Sequence, residues 1–130
     1  MNLNLLAKTV SIHYGLVLIF TFILVRFHFF LREGLYAILI LSLLAGVSVY
    51  NGQKSGEEAP VQGFFLGVCS FGLLLISLLP FVDMDWALNG ILFLLWVFVS
   101  TVMSTFGSTI ASMMTKASTR RALFKQRQKT

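Results

Sequence analysis

The chain has 130 residues, of which 57% are hydrophobic and only 12% charged, and its mean hydropathy is +0.86. Such a composition excludes a water-soluble domain, because the few polar segments are too short to bury a core of their own. The net charge of +5 comes from 10 Lys and Arg against 5 Asp and Glu, and its uneven placement says more than its total.

Four apolar runs are predicted, at about 9–27, 34–50, 61–80 and 86–110. A membrane helix needs roughly 20 mostly apolar residues, with about 17 a workable minimum, to cross a hydrocarbon core of ~30 Å. The first run follows Lys8 and lacks a small-x-small cleavage site, so it reads as a retained span and not as a signal peptide. On its face Tyr14, Thr21 and His28 recur every seventh residue, a possible polar path through the membrane. His13 and His28 lie near opposite ends of this helix, about 22 Å apart at 1.5 Å per residue. They cannot share one metal or haem iron, and both are expected to bond to water or backbone at the interfaces. No cofactor or metal is therefore expected.

The second run carries Ser42, Ala45 and Gly46, and Asn51-Gly52 after it reads as the turn that ends the helix. Glu57 and Glu58 then precede Pro60, acids that favour the start of a third helix. That helix presents Gly63 and Gly67, with Ser70 and Ser77 continuing the same face. The single cysteine, Cys69, is expected to be a small core residue.

The fourth run has the most distinctive pattern. Ser100, Ser104, Ser108 and Ser112 recur at steps of four, Thr101, Thr105 and Thr109 follow one residue later, and Gly107 lies among them. A step of four keeps residues nearly on one face of a helix. Small side chains there admit a close neighbour, and hydroxyls can bond across the gap. The plainer alternative is that each hydroxyl bonds back to the carbonyl one turn earlier. The expected helix-packing set is Gly63, Gly67, Ser70, Ser100, Ser104, Gly107, Ser108 and Ser112.

The tail holds Lys116, Arg120, Arg121, Lys125, Arg127 and Lys129 without an acid, a charge of +6, which leaves the rest of the chain at 4 − 5 = −1. Beside a membrane span, such a segment anchors topology and sits against anionic headgroups or a partner; nucleic acid is not expected. With both termini on the cytoplasmic side, eight Lys and Arg fall inside and only Arg26 and Arg32 outside, in accord with the positive-inside rule.

Chemistry is sparse. No Asp or Glu falls within a run, which argues against a proton- or cation-coupled carrier. No nucleophile-elbow, P-loop or metal-ligand spacing is present. Arg26, His28, Arg32, Glu33, Asp83 and Asp85 gather at the outer edge, where they read as solvated interfacial pairs. The expected fold is an all-α integral membrane protein, a four-transmembrane-helix antiparallel bundle with both termini inside. It divides into a membrane domain over residues 1–115 and a basic cytoplasmic tail over 116–130. The expected function is a non-catalytic assembly or accessory subunit of a bacterial plasma membrane, acting through helix packing on the small-residue faces of the third and fourth runs, as a homo-oligomer or within a larger complex. The alternative is a small channel or facilitator with a Ser/Thr-lined path.

Overall fold

The computed structural model describes residues 1–27, 33–78 and 86–129. They form helices α1 (Leu3–Arg26), α2 (Glu33–Ser55), α3 (Ala59–Leu78) and α4 (Trp86–Lys129), with a 3-10 turn at Gly56–Glu58 between α2 and α3. Three helical stretches are long and apolar enough to cross a membrane: Leu3–Arg26, Leu35–Ser77 and Gly90–Lys129. The middle stretch contains the 3-10 turn, and its two halves pack against each other.

The ends of these helices follow from local chemistry. Asn2 caps α1, its side-chain oxygen accepting from the Leu5 N–H at 3.1 Å, which satisfies one of the orphan donors of the first turn. The reversal between α2 and α3 falls at Gly56, whose φ is +60°. Only glycine occupies that region without steric penalty, so the turn lies there and not at Asn51-Gly52. Those two residues belong to α2, and both are buried. Pro60 is the second residue of α3, where its missing N–H costs nothing.

Helices α2, α3 and α4 form a tight trio, with the α3–α4 and α2–α4 seams the most extensive. Helix α1 lies in the groove between α2 and α3, and among the described residues it makes no close contact with α4. Its buried residues, Leu6, Thr9, His13 and Val17, form one stripe at steps of three and four. Leu6 joins Leu44, Val47 and Leu66 in a small apolar core, bordered by Val10 and Leu16. The remaining large apolar side chains, among them Phe22, Ile76, Leu94 and Phe106, face outward, as suits a hydrocarbon solvent in which burial brings little gain.

Polar bonds tie α1 to its two neighbours along its length. Asn2 and Gln62 bond reciprocally, from the Asn2 N–H at 3.2 Å and from Gln62 Nε2 to the Asn2 carbonyl at 2.7 Å. His13 Nε2 lies 3.3 Å from the Ile40 carbonyl; a carbonyl only accepts, so the ring donates from that nitrogen. Tyr14 Oη lies 2.7 Å from Ser77 Oγ. Ser77 already donates to the Leu73 carbonyl, so the tyrosine is the donor. By the same reasoning Tyr36 donates to Thr21 at 2.5 Å, because Thr21 donates to the Val17 carbonyl.

Cys69 is exposed on α3, which corrects the expectation of a core thiol. It flanks Ser70, which is buried, and one step along a helix turns a residue about 100° away from its neighbour.

Candidate functional site

The serine ladder of α4 lies against α2 and α3. Ser100, Ser104, Ser108 and Ser112 are 1, 0, 0 and 6% exposed. Facing them on α3, a β-carbon added to Gly67 would stand 2.7 Å from the Thr101 Cα and 2.9 Å from the Ser100 carbonyl oxygen. At Gly63 it would stand 2.6 Å from the Ser104 carbonyl oxygen and 2.9 Å from Ser108 Oγ. On the α2 side, a β-carbon at Gly52 would stand 2.6 Å from the Ser108 Cα, and one at Gly107 would collide with Ser48 Oγ. At each of these positions the neighbour is already at contact distance and glycine alone leaves the room.

The two hydroxyl ladders of α4 behave differently. Thr101, Thr105 and Thr109 each donate to the carbonyl four residues back, all at 2.7 Å. Among the serines, Ser108 donates to the Ser48 carbonyl of α2 at 2.9 Å and accepts from Asn51 Nδ2 at 3.2 Å. Ser112 donates to the Gly56 carbonyl at the turn, at 2.5 Å. Among the described residues, the buried hydroxyls of Ser70, Ser100 and Ser104 have no partner, nor do His13 Nδ1 and Asn51 Oδ1.

The α2 surface on α4 is built from Ala45, Ser48, Asn51 and Gly52. Ser42 and Gly46, two of the small residues of the second apolar run, are exposed and lie off this surface. Ser42 bonds back to the Ile38 carbonyl at 2.8 Å, and nothing lies within 4 Å of where a Gly46 side chain would begin. The overlooked signal is the Ser48–Gly52 pair, a small-xxx-small spacing hidden while Gly52 is read as a turn residue.

The expected polar path divides between two helices. Tyr14 turns to α3 through Ser77, and Thr21 turns to α2 through Tyr36. His28 lies outside the described residues, as do Arg32, Asp83 and Asp85 of the outer patch; Arg26 is exposed. His13 is buried, against an expectation of interfacial placement. Among the described residues, no three His, Cys, Asp or Glu side chains gather as a metal site would require.

At the other end of the bundle, the acidic turn meets both termini of the helical array. Glu58 pairs with the Met1 ammonium at 2.9 Å, and Glu57 with Lys116 at 3.6 Å. Beyond Lys116, helix α4 continues to Lys129 with every residue exposed. Arg120, Arg121, Lys125 and Lys129 thus stand on an exposed helical stretch with Leu123, Phe124 and Arg127. Arg120, Leu123, Phe124 and Arg127 share one face, around a shallow groove.

These features define the class of protein: three apolar helical stretches long enough to cross a membrane mark a helical membrane protein. Comparison with protein-family models, with curated proteins and with solved structures finds no match.

Proposed function

We propose that the chain crosses the bilayer four times with both termini cytoplasmic, and that it is a non-catalytic accessory subunit of a larger plasma-membrane assembly. Reversal at Gly56 supports two crossings within the middle stretch. At 1.5 Å per residue its 43 residues would extend about 65 Å if straight, twice the hydrocarbon thickness. The charge bias supports the orientation.

One observation carries the functional reading: beyond Lys116 the basic end of α4 is a helix exposed at every described residue. Isolated helices of this length are marginal in water, and beyond Lys116 this one bears five cations and no acid. A surface of opposite charge, either an acidic partner segment or anionic headgroups, would both hold the helix and neutralise it. The small-residue faces of α2, α3 and α4 are consumed by one another, so assembly falls to the tail and to the outward apolar surface. Self-association by the same route is disfavoured, because two tails would repel.

The test compares the full chain with one ending after Lys116, each purified from native membranes in mild detergent and cross-linked. A stoichiometric partner held by the full chain and lost on truncation is the expected result. A partner retained equally by both would refute the tail's role, and a solitary chain in both would refute the accessory reading.

A second reading, a small facilitator, is favoured by the partnerless hydroxyls of Ser70, Ser100 and Ser104 along the α3–α4 seam. Conversion of these serines to alanine would then alter solute flux in liposomes, whereas pure packing residues would tolerate it.

A further inference from the structure

An apolar groove of about 360 Å³ opens between α1 and α2, lined by Ile12 and Leu16 on one side and by Leu43, Gly46, Val47 and Tyr50 on the other. Its volume is within the range of small-molecule sites. Its floor is open because Gly46 has no side chain there and nothing stands within 4 Å of where one would begin. Along α2 it extends from Ser42 to Tyr50, about 12 Å of helix. Farther along, the two helices are drawn together by the His13–Ile40 and Thr21–Tyr36 bonds.

Length and charge select the occupant. A groove of about 12 Å is close to the ~15 Å that one leaflet contributes to a ~30 Å hydrocarbon core. A transmembrane helix would need the full depth. An acyl chain entering from one leaflet needs only what is present. The Tyr50 end is also the cationic end. Lys8 Nζ lies over the Tyr50 ring, 5.9 Å from its centroid, and Lys54 follows one turn later on α2. The two acids at this level of the bundle are engaged elsewhere, Glu58 with the Met1 ammonium and Glu57 with Lys116. Among the described residues neither Lys8 nor Lys54 has a carboxylate partner.

We propose that this groove seats one acyl chain of an anionic phospholipid from the leaflet on the Lys8 side, with its phosphate against Lys8 and Lys54 and its glycerol region beside the Tyr50 phenol. Tyrosine favours that interfacial level, and lysine ammoniums near a membrane surface attract anionic lipid. The inference rests on α1 and α2 crossing the bilayer and is independent of what the tail binds.

The full chain is reconstituted in nanodiscs of equal phosphatidylglycerol and phosphatidylcholine, then released and weighed by native mass spectrometry. One phosphatidylglycerol per chain is expected, preferred at least tenfold over phosphatidylcholine and retained when the chain is ended after Lys116, which separates this site from the tail. Gly46→Leu starts from a β-carbon position with nothing within 4 Å and extends into the groove, and retention is expected to fall at least tenfold with helical circular dichroism unchanged. The Lys8→Gln, Lys54→Gln double variant should lose the headgroup preference. Phosphatidylglycerol bearing a diazirine in its acyl chain should cross-link to the Ile12–Leu16 and Gly46–Tyr50 peptides. Equal retention of both lipids, a Gly46→Leu chain that binds as well as the native one, or cross-links confined to other helices would each overturn the assignment. Failure to enter the nanodisc at all would instead overturn the membrane crossing.

Discussion

The close approach of α3 to α4 can be weighed by making one substitution at two places. Gly67→Ala puts a methyl group 2.7 Å from the Thr101 Cα and 2.9 Å from the Ser100 carbonyl oxygen. Both are backbone atoms of a helix, so the contact is relieved only by separating the helices. Overpacking of this kind costs about 1–3 kcal/mol. Gly46→Ala meets nothing within 4 Å. Each change also removes a flexible residue from a helix interior, a gain of roughly 0.5–1 kcal/mol. That gain is common to both sites, so the difference in stability isolates the steric term, about 1–3 kcal/mol against Gly67→Ala. Gly46→Ala by itself should stabilise slightly. Reversible unfolding in mixed detergent micelles, followed by helical circular dichroism, measures both. Equal stability of the two variants would refute backbone contact at Gly67, and with it the account of why this seam is rich in glycine and serine.

Ser108→Ala removes a bond to the Ser48 carbonyl and leaves the Asn51 amide without its partner, so the same unfolding assay should show a loss of about 1–2 kcal/mol. Ser100→Ala removes a buried hydroxyl that has no partner among the described residues, so stability should be unchanged or rise, by up to about 1–3 kcal/mol. A double-mutant cycle on Tyr14→Phe and Ser77→Ala should give a coupling of about 0.6 kcal/mol, the average for hydrogen bonds between membrane helices; zero coupling would mean that α1 is not docked through this pair. Trypsin should cut after Arg120 and Arg121 in inside-out vesicles and spare them in right-side-out vesicles, as detected by mass spectrometry; the opposite result would reverse the proposed orientation.

Helix content and the membrane-crossing length of the apolar stretches were legible because hydropathy integrates over many residues and tolerates local error. The limits of individual helices were less so. Residues 3–8 and 111–129 are helical although they fall outside the apolar runs, since a helix does not stop at the hydrocarbon boundary. Gly52 and Gly56 show the limit most clearly. Both sit in the same glycine-bearing connection, and only the backbone reveals that one is pressed against Ser108 while the other carries the positive φ. Spacing alone also could not say which way a hydroxyl turns. The threonines of α4 bond within their own helix, whereas Ser108 and Ser112 reach α2 and the turn after it. Burial of His13 and Gln62 escaped notice because polar residues close to a helix end look interfacial in any linear reading.

Helix α4 has 44 residues, about 66 Å of helix, and it is packed closely where Gly52, Gly63, Gly67 and Gly107 bring backbones together. A helix held from Ser100 to Ser112, near its middle, acts as a pointer over the exposed stretch that follows. Its last 20 Å or so, beyond Lys116, inherit whatever angle the bundle takes. A helix tilts when the bilayer thins, and a 10° tilt would sweep the tip sideways by roughly 3–4 Å over that length. On the proposed topology, the height and bearing at which Arg120 to Lys129 are presented are set inside the membrane, and membrane thickness becomes a quantity that this end can report.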